Sequence, residues 1–133
     1  MLICNESKEI LYLSNCFIGK THDYSMLKEE FPPDKNWFEN FTIRVDLGYL
    51  GIEKDYVCKE VFIPKKNSKL HKLSDDDKLS NKAKAKDRIS VEHSIGGMKR
   101  YRILSDRLRI HDFSQYNDIL AICAGLWNFY IKN

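Results

Sequence analysis

The sequence predicts a mixed α/β domain with helices at its C-terminal end. Short alternating apolar runs separated by turn residues occupy the first half, helix-forming residues occupy much of the second, and the last stretch is almost entirely apolar. A chain of 133 residues, with 43% hydrophobic and 12% aromatic residues, suits one globular domain with its own core. We therefore expect a single domain over residues 1–133, with no linker or second domain.

Strands are predicted mainly before residue 67. "LIC" and "EILYLS", separated by the turn-forming "NESK", are typical of a β-hairpin at the start of the chain. "FTIRVDLGY" alternates as a strand into Asp46, and Gly48 and Gly51 then interrupt it, so a carboxylate is expected at the C-terminal edge of a strand. "EVFIPKK" predicts another short strand.

Three helical regions are predicted. "GKTHDYSMLKEEF" indicates a turn into a short helix, with Asp23 as its N-cap. Ser74 followed by Asp77 resembles a capping box, and helix formers continue to Leu104, with a bend allowed at residues 96–97. The last helix, over residues 114–131, is apolar on most faces and is expected to be buried.

Several other site types are not indicated. The acids at 75–77 suit a positive helix start, and Asp23 and His22 are explained by a cap and a hydrogen-bonded turn without a metal. The apolar run at 119–131 is too short to cross a bilayer, and no signal peptide is recognisable, which favours a cytoplasmic protein. The cysteines lie far apart without a C-x-x-C pair, so buried free thiols are expected at Cys4, Cys16, Cys58 and Cys123.

The charges are segregated along the chain. Residues 1–64 contain 7 basic and 11 acidic residues, residues 65–109 contain 14 and 6, and residues 110–133 contain 1 and 2. The middle block therefore carries a net +8 within a chain of net +3. Such a block is typical of a protein that binds a polyanion with release of counterions, although a solvated lysine-rich helix face is the alternative.

The segment "DRISVEHSIGGMKRYR" combines acid, base and glycine on one helix. At 100° per residue, Arg88, Glu92 and Lys99 fall within about 40° of one another. An apolar stripe lies beside them at Val91, Ile95 and Met98. An ordinary surface ion pair between Arg88 and Glu92 would contribute only about 0.3–0.5 kcal/mol. The two glycines at 96–97 each cost about 1 kcal/mol in a helix, which suggests that another backbone or a phosphate approaches closely.

Together these motifs resemble the DDE transposases of bacterial insertion sequences, in the branch known as DDE superfamily endonucleases. "GKTHDYSML" is similar to the G-x-x-H-D turn of that branch, and "VDLGYLGI" is similar to the surroundings of its second catalytic aspartate. "NKAKAKDRISVEHSIGGMKRYRILSDRLR" is similar to its glutamate helix, with Arg88-x3-Glu92-x6-Lys99 as the signature. The likeness continues through "AICAGLWNF" and so covers nearly all of the chain.

The resemblance implies a ribonuclease-H-like fold and metal-dependent cleavage and strand transfer of DNA. It implies catalytic roles for Asp46, Glu92, Arg88 and Lys99, with Asp46 and Glu92 holding Mg²⁺ or Mn²⁺ in a two-metal site when that site is complete. Hydrolysis in line requires a cation on both the attacking and the leaving oxygen. The basic residues expected to bind DNA phosphates are Lys65, Lys66, Lys99, Arg100 and Arg102.

The resemblance also implies an incomplete catalytic domain. In the family the first catalytic aspartate lies on a strand upstream of the hairpin that begins here at Met1. We therefore expect a chain that lacks the first strand, is inactive alone, and acts with a separate N-terminal transposase half, as a homo-oligomer on element ends and target DNA in the nucleoid. A catalytically dead remnant that binds DNA or protein, and a small basic nucleic-acid-binding module, are the alternatives.

Overall fold

A computed structural model of the chain describes residues 1–17, 19–67, 72–87, 89–106 and 112–133. It forms two compact units: unit 1 comprises Met1–Ile18 and Ile89–Asn133, and unit 2 comprises Gly19–Arg88. In chain order the elements are β1 (Leu2–Cys4), β2 (Ile10–Leu13), α1 (Asp23–Glu30), β3 (Phe38–Arg44), a 3₁₀ turn (Leu47–Tyr49), α2 (Ile52–Asp55), β4 (Cys58–Phe62), α3 (Asp75–Asp87), α4 (Ile89–Met98), α5 (Arg102–Ser105) and α6 (Phe113–Lys132). The predicted mixed α/β class is confirmed, whereas the ribonuclease-H-like arrangement stays a prediction.

Unit 1 begins with the predicted β-hairpin. Strands β1 and β2 are antiparallel, and Leu2 lies opposite Leu13. Within the turn, Lys8 has a φ of 68°, a left-handed conformation that a residue with a Cβ adopts at some cost. The Asn5 side chain accepts a hydrogen bond from the Glu9 N–H at 2.9 Å, which holds the turn closed.

The hairpin is tied to both long helices of unit 1 through backbone groups. The Lys8 carbonyl accepts hydrogen bonds from the Ser94 hydroxyl of α4 at 2.8 Å and from the Trp127 indole of α6 at 2.9 Å. The side-chain amide of Asn128 accepts from the Ile10 N–H and donates to the Ile10 carbonyl, both at 2.8 Å. Because Asn128 pairs with both polar groups of Ile10, that residue has no unsatisfied backbone group at the strand edge.

The core of unit 1 depends on Gly97. A methyl group added there would lie 2.2 Å from Trp127 Cε3, so only glycine allows the indole to pack against α4. Trp127 joins Ile10 and Met98 in the buried core, together with Cys123 and Ala124. The glycine pair at 96–97 predicts the close approach of a backbone or a phosphate. At Gly97 that expectation is wrong, because an aromatic side chain of the same unit occupies the space.

Two predicted helices differ from those observed. The helical run expected from Ser74 to Leu104 consists of α3, α4 and α5, and α4 ends at Met98 directly after the glycines. Helix α6 is longer than predicted but is not buried on most faces. Its large exposed apolar residues are Phe113, Ile122, Leu126, Phe129 and Tyr130. The prediction of a buried α6 was wrong because apolar composition alone does not show how many neighbours surround a helix.

All four cysteines are free; Cys123 is buried, and the other three are half-buried. Burial raises the pKa of each of these thiols. Among the described residues, no helix has both the length and the apolarity needed to cross a membrane.

Unit 2 contains a parallel strand pair. Strand β3 pairs with β4 so that Arg44 lies opposite Phe62, and the connection between them passes through the 3₁₀ turn and α2. An aromatic cluster packs near the start of β3, where the Phe31 and Phe38 ring centroids are 5.4 Å apart and those of Phe38 and Tyr56 are 5.5 Å apart. The Tyr56 hydroxyl donates to the Phe31 carbonyl at 2.7 Å, which satisfies its polar end.

The capping box predicted at the start of α3 is confirmed. The Asp77 N–H donates to Ser74 Oγ at 3.1 Å, and the Ser74 N–H donates to Asp77 Oδ2 at 3.3 Å. Asp77 also accepts from the Lys65 ammonium at 2.5 Å. These hydrogen bonds, that of Lys65 first, lower the pKa of Asp77.

Replacement of Gly97 tests the packing of Trp127. Gly97→Ala places a methyl group inside the indole contact, and we expect overpacking to lower the free energy of unfolding by about 1–3 kcal/mol in a urea titration. Gly125→Ala on α6 is the matched control, because Gly125 has no described atom of its surroundings within 4 Å of an added methyl group. That control is expected to raise stability by up to about 1 kcal/mol. Equal stabilisation by both substitutions would contradict the packing described here.

Candidate active site

Asp46 lies just beyond the C-terminal end of β3, as predicted. The Val45 N–H donates to the Phe62 carbonyl at 3.1 Å, so the backbone leading into Asp46 is fixed by the end of β4. Asp46 is half-buried and caps the 3₁₀ turn, with its Oδ1 accepting from the Gly48 N–H at 2.8 Å. The carboxyl end of parallel strands is where α/β proteins commonly bind ligands. The carboxylate is thereby held in a position suited to a metal or a substrate.

Asp23 is a second carboxylate beside Asp46, and sequence analysis set it aside. Asp23 was predicted to be the N-cap of α1, but His22 is the cap, and its Nδ1 accepts from the Tyr24 N–H at 3.2 Å. Asp23 is instead the first residue of α1. A methyl group added at Gly48 would lie 3.0 Å from Asp46 Oδ1 and 3.4 Å from Asp23 Oδ2. Both carboxylates therefore border the space left open by the glycine.

The pKa of Tyr49 reports the charge around these two acids. Burial, followed by the negative charges of Asp23 and Asp46, raises the pKa of Tyr49 to about 12. Asp23 could be noticed from the sequence as a short acidic side chain after His22 in a turn, but the predicted cap was wrong by one residue, since His22 is the cap.

The donor set around Gly48 is chemically suited to a hard divalent cation but is small. Mg²⁺ and Mn²⁺ prefer carboxylate oxygens, and Mg²⁺ commonly keeps several waters while one or two carboxylates hold it. Asp46 and Asp23 fit that pattern. Within the described part of the chain, no three histidine, cysteine, aspartate or glutamate side chains are grouped as a metal site would require.

Glu92 lies on the exposed face of α4 in unit 1. Ser94, which is fully buried against the Lys8 carbonyl, is about 160° away from Glu92 around the helix. The inward face of α4 is centred on Ser94, Gly97 and Met98. The predicted apolar stripe of Val91, Ile95 and Met98 is therefore only partly correct: Met98 is buried and Val91 half-buried, but Ile95 is 38% exposed.

The remaining predicted catalytic residues fall in different places. Arg88 lies outside the described residues, so its pairing with Glu92 stays a prediction. Lys99 is exposed and follows the last residue of α4, where its N–H still donates to the Ile95 carbonyl at 3.0 Å. Asp46 belongs to unit 2, whereas Glu92 and Lys99 belong to unit 1, and their convergence on one site also stays a prediction.

The predicted DNA-binding residues differ in the groups that their positive charges contact. Lys66 is exposed, while Lys65 is engaged by Asp77 as described above. Arg102 pairs with Asp106 at 3.4 Å on the surface. The Arg100 guanidinium lies over two aromatic rings, 5.7 Å from the Trp127 centroid and 5.2 Å from that of Tyr130. Lys99 and Arg100 are therefore better placed for phosphate contacts than Lys65.

The charge around Tyr49 yields a prediction. Asp46→Asn or Asp23→Asn removes one of the negative charges that disfavour the phenolate, so the pKa of Tyr49 should fall from about 12 toward 10, as followed by NMR of the labelled tyrosine ring. Asp34→Asn, an exposed aspartate of unit 2 that is not among those causes, is the control and should leave that pKa unchanged.

The same shift has a sign for stability. Because the pKa of Tyr49 is higher in the folded than in the unfolded chain, its neutral phenol contributes fully to the free energy of unfolding below pH 10. That contribution is lost as the pH rises from 10 to about 12. A Tyr49→Phe variant should show a shallower loss of unfolding free energy over that interval. An identical alkaline profile in both proteins would show that Tyr49 ionises as easily in the folded as in the unfolded chain.

Comparison with known proteins gave one match. The sequence model of a family described as DDE superfamily endonuclease matches residues 1–128. Neither the comparison with curated proteins nor that with solved structures gave a match. The matched range contains both Asp46 and Glu92, together with every basic residue discussed above.

Proposed function

The chain belongs to the DDE superfamily endonucleases, and we propose that it contributes Asp46 and Glu92 to metal-dependent DNA cleavage and strand transfer in the transposition of an insertion sequence. The observation that carries this proposal is the family match over residues 1–128. The position of Asp46 beyond the end of β3, and that of Glu92 on the exposed face of α4, support it.

Divalent cations are the expected cofactor, since endonucleases of this family generally use them. We propose that Asp46 and Glu92 hold Mg²⁺ or Mn²⁺, which when bound would offset the charge that develops on the attacking and leaving oxygens. Asp23 borders the same space at Gly48 as Asp46 and can add an oxygen ligand or bind a water of the cation.

The basic residues directly after α4 take the role of holding DNA. Lys99 and Arg100 are exposed, and a phosphate contact to either is compatible with their described partners. In this proposal Arg88 steadies the Glu92 carboxylate by an ion pair four residues away on the helix. These roles need no base-specific contact, so the binding is expected to be largely independent of DNA sequence.

The proposed inactivity of the isolated chain is consistent with the small donor set. Two or three carboxylates without further ligands leave Mg²⁺ mostly hydrated, and such a site binds the cation weakly. We propose that a partner polypeptide, an N-terminal transposase half or another copy of the chain, completes the site. A module that binds DNA without cutting it is the second candidate, and the absence of any three-ligand group among the described residues favours that reading.

A nicking assay tests the catalytic proposal. Supercoiled plasmid carrying element ends, incubated with Mn²⁺ or Mg²⁺, the protein and an N-terminal transposase half, should be converted to open circles, whereas the protein alone should nick negligibly. Asp46→Asn and Glu92→Gln remove a ligand charge at nearly constant shape, so each should reduce nicking at least about 100-fold while DNA binding is kept. Asp76→Asn, an exposed acid in the first turn of α3, is the charge-matched control and should nick normally.

Nicking that survives both substitutions would exclude the site assignment. Binding without any nicking, in either metal and with a partner polypeptide added, would establish the second candidate instead.

The salt dependence of DNA affinity tests the basic surface. Affinity measured by fluorescence anisotropy should fall steeply with salt, and Lys99→Gln or Arg100→Gln should lower the slope of log affinity against log salt by about one. Lys65→Gln is expected to change the slope less, because its ammonium is already paired with Asp77. Equal effects of all three substitutions would contradict the distinction drawn from the structure.

A further inference from the structure

Gly96 has no packing role that the structure shows, which separates it from its neighbour Gly97. Among the described residues, no atom of its surroundings lies within 4 Å of a methyl group added at Gly96, and the residue is exposed. A glycine costs a helix about 1 kcal/mol relative to alanine, and alanine would fit here. The open backbone of α4 at this point is therefore a feature that the unit itself does not use.

An acidic and a basic residue lie close to Gly96 around the helix axis. At 100° per residue, Gly96 lies about 40° from Glu92 and about 60° from Lys99 around the helix. The Lys99 N–H continues the helical hydrogen bonds by donating to the Ile95 carbonyl at 3.0 Å, so this projection still holds at that residue. Arg100 follows directly and donates its N–H to the Gly97 carbonyl at 3.3 Å.

Arg100 is oriented by aromatic rings of α6. The Trp127 and Tyr130 rings stack at 5.9 Å, and the guanidinium lies over both. A guanidinium in contact with rings can still donate N–H hydrogen bonds, and its paired donors match two phosphate oxygens. Trp127 itself donates to the Lys8 carbonyl, so its ring is tied to the hairpin of unit 1.

We propose that one DNA backbone phosphate binds over Gly96. Lys99 and Arg100 contact this phosphate, and the aromatic rings of α6 support Arg100. The missing side chain lets the phosphodiester approach the helix closely, and the two cations offset the charge of Glu92 on the same face. This site rests on the proposed function, because it specifies how the DNA of that function meets α4.

The test compares two glycines that are both exposed and both on helices. Gly96→Ala and Gly125→Ala should each raise the melting temperature by about 2–6 °C, because both remove a helical glycine without a clash. Only Gly96→Ala should weaken binding of a short labelled DNA duplex of arbitrary sequence. We expect about a three- to tenfold loss, a larger loss for Gly96→Leu, and a salt slope lower by about one.

A second pair of variants tests the platform. Tyr130 is 61% exposed, so its replacement should not disturb folding. Tyr130→Phe keeps the ring beneath Arg100 and should bind DNA as the parent chain does, whereas Tyr130→Leu removes the ring and should bind about threefold more weakly.

The outcomes separate this proposal from the proposed function. Normal DNA affinity in a stabilised Gly96→Ala variant would overturn the phosphate-binding site proposed at Gly96 and leave the nuclease proposal intact. A loss of stability in that variant would also overturn it, since the chain's own atoms would then fill the opening. A parent chain with no affinity for the duplex would overturn both proposals.

Discussion

The arrangement of unit 1 depends on the carbonyl of Lys8. The left-handed φ of that residue turns its carbonyl out of the hairpin, where it accepts from Ser94 of α4 and Trp127 of α6. The strain of a non-glycine residue in this region, of order 1–3 kcal/mol, is offset by two partly buried hydrogen bonds worth about 1 kcal/mol each and by packing of the indole. The same bond fixes the rotation of α4, so Glu92 faces outward because Ser94 faces inward.

The local features of the fold could be predicted from the sequence, and the long-range ones could not. Features that depend on residues close in sequence were predicted. They are the hairpin, the capping box at Ser74 and Asp77, and the strand that leads toward Asp46. The rotation of α4 depends on Ser94 and Lys8, which are 86 positions apart, and hydrophobicity favoured Ile95 over a buried serine. The exposure of α6 had the same cause, because composition does not reveal which neighbours a helix has.

The candidate site shows the same division. Asp46 was found because a strand pattern runs into it, whereas Asp23 was missed because an aspartate at a helix start usually has a local explanation. His22 takes the capping role instead, which leaves the Asp23 carboxylate beside Gly48. Arg88 and the convergence of Asp46 with Glu92 rest on the family resemblance, since local patterns carry no information on how distant segments meet.

The distribution of charge constrains how DNA can meet the two acidic positions. Glu92 lies in the basic block beside Lys99 and Arg100, so a phosphate near α4 meets compensating charge at once. Asp46 lies in the acidic part of the sequence, and Asp23 beside it adds a second negative charge; after burial, both charges contribute to the raised pKa of Tyr49. A polyanion is repelled there unless that charge is offset. In the proposed function, DNA affinity therefore belongs to the α4 surface, and a phosphodiester approaches the carboxylates at Gly48 only when a cation offsets their charge.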